Sequence, residues 1–584
     1  MAAPPTRLDN RIVLHFDYDC FYASAFEVEQ PVLKSLPLAV QQKQIVVTCN
    51  YEARRRGLRK LQLISEAKKV CPDVIIVLGE DLTKFRDASK DLYLYLRSFV
   101  WGDRVERLGF DELFLDVSDM IEYNVDVLNR NDLENSFFHL DRHDPTIGFA
   151  YDATRFHGPT FPPDSEIVSD RLSAAAWSEA ETLHIKLLVA SHLAGYLRRQ
   201  LEHQKGYTAT VGISTCKAVS KLTGNVHKPN NQTTLLAPYD ARENGPESNV
   251  IRFLDSHDIQ KIPGIGSKLA RSLKDHLLNS GRGLDSADGA PPTDNKTTVR
   301  DVRLFPGMGP VLLEKILGGP GSPKGIGIRI WNLIHGVDDS EVLEARDFPT
   351  QISIEDSYRQ LETFEEVRRE LIALATSLIR RMRIDLTEKT EVEDQTADSK
   401  TDHSLNPKTR WLAHPRTLRL STRPRPPANS SGVRTYSINR ASRSAPLPQY
   451  VFNLEENMDA LGERLVHDLV IPMFRKLHPE KSGWNLSLLN VAVTNMVESA
   501  GEQKRSSGRD IKRMFQQQET ILKEWKVPEL DSAQPDIDLP VYEDSTWEES
   551  DEDEAIPSVI CRICSAPIPH FAQAAHEVYH SAPD

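Results

Sequence analysis

The stretch Arg107-Leu-Gly-Phe-Asp-Glu-Leu-Phe-Leu-Asp116 decides how the rest of this chain is interpreted. It predicts two short apolar strands joined by a turn that carries two adjacent carboxylates, Asp111 and Glu112. Far upstream, Arg11-Ile-Val-Leu-His-Phe-Asp17 predicts a strand buried on both faces that ends on a third carboxylate. An acidic pair at a turn is commonly a solvated turn, but flanking strands this apolar weigh against that interpretation. We therefore expect Asp17, Asp111 and Glu112 to converge and to bind two divalent metal ions.

The composition bounds the class of protein. At 584 residues the chain has room for about four domains. The net charge of −14 hides a local asymmetry, because acid is concentrated in residues 543–554 while residues 408–443 are strongly basic. The six cysteines do not form a disulfide framework, the N-terminus lacks the apolar core of a signal peptide, and no apolar run reaches membrane-spanning length. We therefore expect a soluble intracellular protein.

The order of the elements around the carboxylates predicts a ferredoxin-like α+β unit. Strand-like and helical segments follow one another as strand, helix, strand, strand, helix, strand between residues 11 and 214, with residues 38–100 inserted as a small separate lobe. Residues 121–182 have little periodic pattern. We interpret residues 124–166 as a surface elaboration and assign no chemistry to them.

Three side chains outside the carboxylate stretches suit a polyphosphate. Tyr51 and Arg54 lie three residues apart on a predicted short helix, so they share one face. Arginine offers a bidentate fork and tyrosine a neutral donor to phosphate oxygens. Lys228, in a loop, is a compact cation that can reach a phosphate. The alternative interpretation is an exposed basic helix face and an ordinary surface lysine.

Two further units carry features that suit a nucleic-acid backbone. The segment Ile259-Gln-Lys-Ile-Pro-Gly-Ile-Gly-Ser-Lys268 resembles the hairpin of a helix-hairpin-helix motif, in which Gly264 and Gly266 let backbone N–H groups approach a phosphate and Lys268 lies beside them. The alternative is an ordinary Pro-Gly loop. Beyond it, Arg416 and Arg419 flank a predicted strand, within a unit interrupted by low-complexity insertions at residues 388–404 and 424–448.

The C-terminal part of the chain predicts a disordered linker followed by a zinc site. Residues 500–556 have a disorder-like composition, and within them Ile511-Lys-Arg-Met-Phe515 has apolar anchors at one-turn spacing. That stretch suits a partner groove or a transient amphipathic turn. The final pattern C-x2-C-x11-H-x3-H predicts a closed tetrahedral Zn²⁺ site. Its ligands are Cys561, Cys564, His576 and His580.

These residues together resemble the Y-family translesion DNA polymerases over nearly the first 500 residues, and within that family the iota branch. The long insertions at 121–182 and 387–448 have no counterpart that we can place. The matching stretches are Phe16-Asp-Tyr-Asp-Cys-Phe-Tyr-Ala23, Val47-Thr-Cys-Asn-Tyr-Glu-Ala-Arg54, Glu106-Arg-Leu-Gly-Phe-Asp-Glu112 and Lys228-Pro-Asn-Asn-Gln232.

The resemblance implies a right-hand polymerase with ferredoxin-like palm, small fingers, helical thumb and α/β little finger, then a disordered tail and a ββα-like zinc finger. The implied bounds are palm 1–37 and 101–240, fingers 38–100, thumb 241–345, little finger 349–497, acidic linker 498–556 and zinc finger 557–584.

The resemblance also implies a role for each motif residue. The Tyr18 carbonyl would assist the three carboxylates in holding Mg²⁺ or Mn²⁺, and Tyr22 would act as the steric gate against ribonucleotides. Tyr51, Arg54 and Lys228 match triphosphate-binding positions. Residues that would roof the templating base in the iota branch are Gln42, Lys43 and Ile45.

The implied activity is low-fidelity synthesis of DNA past damaged bases in the nucleus, with primer-template DNA and dNTP as partners. The zinc module resembles a ubiquitin-binding finger, but Val578 stands where that finger carries an aspartate. The resemblance implies ubiquitin or a ubiquitinated sliding clamp as a partner of this finger. It also implies that Ile511-Lys-Arg-Met-Phe515 binds the sliding clamp. Two alternatives stay open: an eta-like polymerase, and a catalytically weak scaffold that binds DNA and repair proteins.

Overall fold

The computed structural model describes residues 4–7, 10–163, 179–239, 248–279, 296–319, 321–346, 348–389, 409–425, 440–480, 483–498, 558–560 and 567–569. It contains two compact units, Met1–Val497 and Glu498–Asp584. Both helices and strands build the first unit, as the α+β prediction required. Among the described helices, none combines the length and the apolar character needed to cross a membrane.

The elements of the first unit follow one another along the chain. The first ten are β1 (Val13–Tyr18), α1 (Phe21–Glu29), β2 (Leu38–Gln42), β3 (Ile45–Cys49), α2 (Tyr51–Arg55), α3 (Ile64–Val70), β4 (Ile75–Leu78), α4 (Thr83–Arg97), β5 (Val105–Leu108) and β6 (Glu112–Asp116). Next come α5 (Ser118–Asp126), β7 (Ser136–His139), β8 (Gly148–Tyr151), β9 (Thr160–Phe161), α6 (Glu179–Lys205), β10 (Ala209–Ser214), α7 (Lys217–Thr223) and β11 (Gln232–Leu235).

A helical stretch and a second mixed stretch complete that unit. The helices are α8 (Asn249–Asp255), α9 (Ser267–Asn279), α10 (Val299–Arg303), α11 (Pro310–Leu317) and α12 (Ile326–Ile334). The mixed stretch contains β12 (Ile352–Leu361), α13 (Phe364–Asp385), β13 (Thr387–Lys389), β14 (Thr409–Trp411), β15 (Ala413–Pro424), β16 (Ala441–Pro446), α14 (Met458–Leu465), α15 (Ile471–Leu477) and β17 (Leu486–Glu498). Short 3-10 helices lie at Pro31–Ser35, Ile259–Lys261 and Gln449–Phe452, and a π-helical turn at Val466–Val470.

The central sheet has the strand order β5-β6-β1-β10-β11-β9. Strand β1 runs antiparallel to both β6 and β10, and β5 is antiparallel to β6. Because β1 lies in the interior of the sheet, its two faces are covered, and Val13, Leu14 and Phe16 are fully buried. The first four strands in this order belong to a strand, helix, strand, strand, helix, strand unit, to which β11 and β9 are added in parallel.

Within the segment from 121 to 182, residues 121–163 contain more regular structure than their composition predicts. Strands β7 and β8 form an antiparallel hairpin, and β9 joins the central sheet beside β11. Phe138 is fully buried, and its ring stacks 5.1 Å from that of Phe149, which in turn stacks 4.3 Å from Tyr196 of α6. The interpretation of residues 124–166 as a surface elaboration was therefore wrong for these aromatic residues, because they pack on a long helix that lies far along the sequence.

Two smaller sheets complete the first unit. Strands β3, β2 and β4 form one, with its own small core around Ala39, Val46 and Cys49. Strands β12, β17, β15 and β16 form the other, against α13. Strand β16 lies inside the segment 424–448 that we expected to be a low-complexity insertion. Its sequence Ala-Ser-Arg-Ser-Ala-Pro has no apolar alternation, so only backbone pairing with β15, from Thr417–Pro446 to Thr422–Ala441, makes it a strand.

In the second unit the described residues form one hairpin, in which Ser558–Ile560 (β18) pairs with Pro567–Pro569 (β19). The predicted zinc ligands Cys561, Cys564, His576 and His580 lie outside the described residues. So do Val578 and the predicted partner motif at residues 511–515.

Candidate active site

The register of β1 and β6 brings the predicted carboxylates to the same end of these two neighbouring strands. We call this end of the sheet the carboxylate edge. Asp17 and Glu112 are direct cross-strand partners in the β1–β6 pair, a placement that puts their Cα atoms about 4.5 to 5.5 Å apart. Asp111 lies in the turn before β6, and its carbonyl accepts a hydrogen bond from the Tyr18 N–H at 2.7 Å. Gly109, with φ of +73°, supplies the left-handed conformation that this turn requires.

The carboxylates influence one another electrostatically. Burial, followed by the negative charges of Asp17 and Glu112, raises the pKa of Asp111. Burial alone would also raise the pKa of Glu112, but the His15 imidazole, 3.6 Å away, and the hydrogen-bonded Lys221 ammonium outweigh it and lower that pKa to about 2. The two pKa values shift in opposite directions because the negative charges near Asp111 disfavour its ionised form, whereas the partners of Glu112 favour its ionised form.

Sequence reasoning missed three residues that hold this edge together. Lys221 of α7 donates to Glu112, and the buried imidazole of His15 lies 3.6 Å from the same carboxylate. Asp19 is 2 % exposed and accepts hydrogen bonds from the Thr210 hydroxyl at 2.9 Å and the Asn230 N–H at 2.8 Å. The only sequence signal for Asp19 is its place two residues after Asp17, whereas Lys221 becomes significant only through helix packing.

Of the three phosphate-directed residues predicted from sequence, Tyr51 and Arg54 lie on helix α2, and Lys228 lies in the loop before β11. Lys228 donates to the Asp17 carboxylate. The guanidinium of Arg54 lies 4.5 Å from the centre of the Tyr51 ring and donates to the Cys49 carbonyl at 3.1 Å. Burial raises the pKa of the Tyr51 phenol, as do the negative charges of Asp19 and Asp17. Tyr51 is therefore a neutral donor within electrostatic reach of the carboxylate edge.

The start of α2 is held in place by Asn50. Its side-chain oxygen accepts a hydrogen bond from the Ala53 N–H at 2.9 Å and caps the helix. Its side-chain nitrogen donates to the Glu27 carboxylate at 2.8 Å. Because Glu27 belongs to α1, this buried amide ties the helix that carries Tyr51 and Arg54 to the helix that follows Asp17.

Tyr22 lies in the first turn of α1, half-buried beside the carboxylate edge. Its ring stacks on Phe85 at 4.2 Å with an interplanar angle of 23°, and lies 6.3 Å from the ring of Phe110 in the β5–β6 turn. Burial raises the pKa of its phenol, and the negative charge of Asp111 adds to that shift. The ring is therefore fixed in orientation close to Asp111.

The residues predicted to roof a template base form the tip of the β2–β3 hairpin. Gln42 pairs across the hairpin with Ile45 and donates to the Gly79 carbonyl at 2.6 Å. Lys43, with φ of +52°, occupies the turn between them. Its ammonium reaches Asp356 of β12 at 2.7 Å. The hairpin tip is therefore in contact with the four-stranded sheet.

A cleft of about 800 Å³ lies between α7, whose Lys221 contacts Glu112, and the predicted glycine hairpin. Lys221 and Phe114 line it on the side of the central sheet, and Gly264 and Arg329 on the side of the helices. Gly264 has φ of +89° and needs glycine there, whereas the space beside Gly266 is open to 4 Å. Gly264, Gly266 and Lys268 are all exposed.

The two arginines of β15 are placed apart from this cleft, on the four-stranded sheet. Arg416 is exposed, and Arg419 is partly buried and donates to the Gln351 side chain at 2.8 Å. No shared contact joins either residue to the carboxylates in the part of the chain that the structure describes.

The carboxylate edge has the chemistry that a hard divalent cation requires. Asp17, Asp111, Glu112 and the Tyr18 carbonyl offer only oxygen donors, the ligands that Mg²⁺ and Mn²⁺ prefer. The ammonium groups of Lys221 and Lys228 contact Glu112 and Asp17, as expected where negative charge is concentrated. Within the described ranges no group of three or more His, Cys, Asp or Glu side chains is placed so that it could hold a metal ion as the side chains stand. The types of donor atom present therefore fit a divalent cation. The geometry in which they would coordinate it is a prediction.

Comparison with known families agrees with this site. The impB/mucB/samB family model matches residues 16–225, which contain every carboxylate of the edge, and the C-terminal domain model of the same family matches residues 349–506. The chain therefore belongs to the impB/mucB/samB family, and the Y-family resemblance of its motifs is confirmed.

Comparison with individual proteins gives more specific relatives than the family models do. The chain is similar to DNA polymerase iota of Homo sapiens, with 31 % identity over 84 % of this chain and 53 % of that protein. It is also similar to DNA polymerase iota of Mus musculus, at 29 % identity over 84 % of this chain and 55 % of the relative. DNA polymerase eta of Arabidopsis thaliana is 24 % identical over 89 % of this chain and 68 % of its own length. The chain spans about half the length of the two iota relatives.

Replacing Lys221 with Met should make the free energy of unfolding less dependent on pH in the acidic range. A pKa lowered from 4.5 to about 2 means that Glu112 stabilises the fold fully above about pH 4.5, by about 3 kcal/mol, and that this contribution is lost as pH falls toward 2. Removing the ammonium should remove about 1 to 2 kcal/mol of that pH-dependent part. Urea unfolding near pH 7 and near pH 3 measures it.

The control is Lys217→Met, one turn earlier on α7, where the lysine pairs with Glu106 instead. An identical pH profile for Lys221→Met and the wild type would contradict the assigned role of Lys221.

Proposed function

We propose that this chain is a template-directed DNA polymerase that carries out low-fidelity synthesis past damaged bases, in the manner of the iota relatives. The observation that carries the proposal is the direct cross-strand pairing of Asp17 with Glu112 beside Asp111. This places three carboxylates on one sheet edge, within reach of the phosphate-directed Lys228. The iota relatives are named as DNA polymerases, and the family model that matches residues 16–225 covers the three carboxylates.

We assign the sheets and helices to a polymerase hand. The central sheet would be the palm (residues 1–37 and 101–240), and the three-stranded sheet with α2 and α3 the fingers (38–100). The helices α8 to α12 would form the thumb (241–345), and the four-stranded sheet with α13 the little finger (349–497). The cleft between Lys221 and Gly264 supports this assignment, because it lies between the glycine hairpin and the lysine that contacts Glu112. Primer-template DNA would lie along that path.

Asp17, Asp111 and Glu112, with the Tyr18 carbonyl, would hold two Mg²⁺ or Mn²⁺ ions. Bound there, the ions supply activation of the primer 3′-hydroxyl and stabilisation of the leaving pyrophosphate. The protein's own contribution is to keep the oxygens ionised and aligned. The hydrogen bond from Lys221 and the neighbouring His15 imidazole hold Glu112 as a carboxylate, and the β1–β6 register aligns it with Asp17.

Tyr51, Arg54 and Lys228 would bind the triphosphate of the incoming dNTP. Arg54 can present its guanidinium fork to phosphate oxygens, and Tyr51 remains a neutral donor because its pKa is raised. Lys228 contacts Asp17 and lies where a phosphate bound between the carboxylates and the loop would meet it. Together these donors would offset the negative charge that grows on the phosphates in the transition state.

Contacts with duplex DNA would come from two separate elements. Gly264, Gly266 and Lys268 would approach one phosphate backbone from the thumb. Arg416 and Arg419 would approach the duplex from the little finger, and such contacts are salt-sensitive and blind to sequence.

Further partners follow from the C-terminal motifs. Cys561, Cys564, His576 and His580 would hold a structural Zn²⁺ ion in a ubiquitin-binding-like finger, with Val578 weakening the case for ubiquitin itself. The motif at residues 511–515 would engage the sliding clamp. A polymerase with these partners would act in the nucleus.

The double variant Asp111→Ala, Glu112→Ala should abolish primer extension, because two of the three oxygen donors for the metal ions are removed. The measurement is extension of a labelled primer on a DNA template with Mg²⁺ or Mn²⁺, alongside DNA binding. The control is Asp116→Asn, since Asp116 accepts a hydrogen bond from the Ser118 N–H at 3.1 Å and has no assigned catalytic part. If the wild type binds DNA but extends no primer, the chain is a repair scaffold.

Incorporation opposite each of the four template bases separates an iota-like from an eta-like enzyme. The tip of the β2–β3 hairpin would limit the space above the template base, so we expect fidelity to depend strongly on that base and to be poor opposite T. Single-nucleotide insertion kinetics for every pairing provide the measurement. Similar fidelity opposite all four bases would favour the eta-like alternative.

Replacing Tyr22 with Ala should admit ribonucleotides. The ring is held by Phe85, so its removal opens space that a 2′-hydroxyl can fill, and discrimination should fall by roughly tenfold to a hundredfold. Insertion of rNTP against dNTP is the assay, with Tyr22→Phe as the matched control that keeps the ring. Unchanged discrimination in Tyr22→Ala would remove Tyr22 from the sugar site.

A further inference from the structure

The loop that carries Lys228 is fixed by a buried carboxylate that is not one of the three at the carboxylate edge. Asp19 follows β1 directly and is only 2 % exposed. Its Oδ1 accepts a hydrogen bond from the Thr210 hydroxyl at 2.9 Å, and its Oδ2 accepts one from the Asn230 N–H at 2.8 Å. Thr210 lies in β10, whereas Asn230 lies in the loop between α7 and β11. Asp19 therefore joins that loop to the central sheet.

Two hydrogen-bonded links join the same pair of segments. Asp17 accepts a hydrogen bond from the Lys228 side chain, and two residues further along each segment Asp19 accepts one from the Asn230 main chain. The outer link is partly open to solvent, since the side chains of Asp17 and Lys228 are 17 % and 27 % exposed. A phosphate can therefore compete for the lysine. The inner link is buried, so it persists while the outer link exchanges.

Asn230 is held from a second side by Arg198 of α6. The guanidinium donates to the Asn230 side-chain oxygen at 2.6 Å and to the Ala209 carbonyl of β10 at 3.0 Å. Asn230 has φ of +43°, a left-handed conformation that asparagine adopts more readily than most residues. Its main chain and its side chain are thus both tied to the central sheet, which fixes the course of the loop two residues after Lys228.

Two other roles for Asp19 have to be weighed. It could be a further metal ligand, because it lies two residues after Asp17. Its contacts disfavour that role, since each oxygen already accepts a hydrogen bond and the residue has almost no surface open to an ion. It could also stabilise the fold and nothing more. In that case the effect of removing it would not depend on whether Lys228 is present.

We propose that Asp19 is a positioning residue for the incoming nucleotide, which acts through the Asn230 N–H to set where Lys228 meets the triphosphate. This role rests on the proposed function, because it requires Lys228 to bind phosphate. A lysine has a long flexible stem, so its ammonium is placed accurately only if its main chain is fixed. When a nucleotide arrives, Lys228 would exchange the Asp17 carboxylate for a phosphate oxygen, while Asp19 keeps the loop in the same position.

A double-mutant cycle between Asp19 and Lys228 tests this role. The affinity for dTTP is measured by calorimetry on the full chain with Mg²⁺ and a primer-template whose primer ends in a dideoxynucleotide, so that no extension occurs. We expect Asp19→Ala and Lys228→Met each to weaken dTTP binding by about tenfold. The double variant should be no more than about twofold weaker than Lys228→Met, since the carboxylate acts through the lysine.

Asp19→Asn is the conservative variant that should restore the affinity. Its oxygen can still accept the Asn230 N–H while its amide donates to the Thr210 hydroxyl, so both links are kept. We expect its affinity for dTTP to lie within about threefold of the wild type.

Glu202→Gln is the matched control. Glu202 also contacts Asn230, but it is exposed and accepts from the asparagine amide at 3.4 Å, so the affinity should not change. If urea unfolding shows that Asp19→Ala does not fold, Asn230→Gly replaces it in the cycle. Glycine adopts the same positive φ and keeps the N–H to Asp19, but it loses the contact with Arg198.

Additive losses in the double variant, or an unchanged affinity in Asp19→Ala, would overturn the positioning role, while primer extension by the wild type would leave the proposed function in place. A loss in Asp19→Asn as large as in Asp19→Ala would overturn it as well, because the charge and not the link to the loop would then matter. A wild type that neither binds dTTP nor extends a primer would overturn the proposed function and the positioning role together.

Discussion

The pairing register between β1 and β6 is the constraint on which the rest of this molecule depends. It sets Asp17 directly against Glu112. Because side chains alternate with a period of two, a slip of one residue would turn one carboxylate to the opposite face of the sheet. The hydrogen bond from the Tyr18 N–H to the Asp111 carbonyl extends the pairing into the turn and holds the third carboxylate near the other two. The buried run Val13, Leu14 and Phe16 anchors this register, since any shift would expose it.

Three neighbouring carboxylates repel one another, and lysines from the surrounding helices and loops offset part of this negative charge. Lys221, from α7, pairs with Glu112, and Lys228, from the loop before β11, pairs with Asp17. Asp111 has no such ammonium partner at hydrogen-bond distance among the residues that the structure describes, and its pKa is raised by burial and by its two acidic neighbours. An edge of this kind is stabilised by added positive charge, which is what divalent cations and a nucleotide-bound metal would supply. The same electrostatics explain why two lysines lie against these carboxylates.

Much of the site was predictable because it depends on short motifs. Asp17, Asp111 and Glu112 each follow or precede an apolar strand, and strand ends are local features that the sequence displays. Tyr51 and Arg54 share a helix face for the same reason. Lys221 and His15 were not predictable, since a lysine on a helix and a histidine in an apolar strand acquire a role only when packing brings them to Glu112. Strand β16 escaped prediction because its residues lack alternation, and the contact of Asp19 with Asn230 joins segments that lie far apart in the sequence.

By itself the sequence determined the family and pointed to Asp17, Asp111 and Glu112 as neighbours, because the family motifs and the strand ends are contiguous stretches of sequence. It also determined that helices and strands would both be present. Only the tertiary structure decided which strand lies beside β1, which lysines balance the carboxylates, and that residues 136–161 belong to the folded body of the protein. The physical reason is that burial, charge compensation and backbone pairing are properties of contacts between distant segments. Glu112 and Lys221 illustrate this, since they are separated by more than a hundred residues yet share one hydrogen bond.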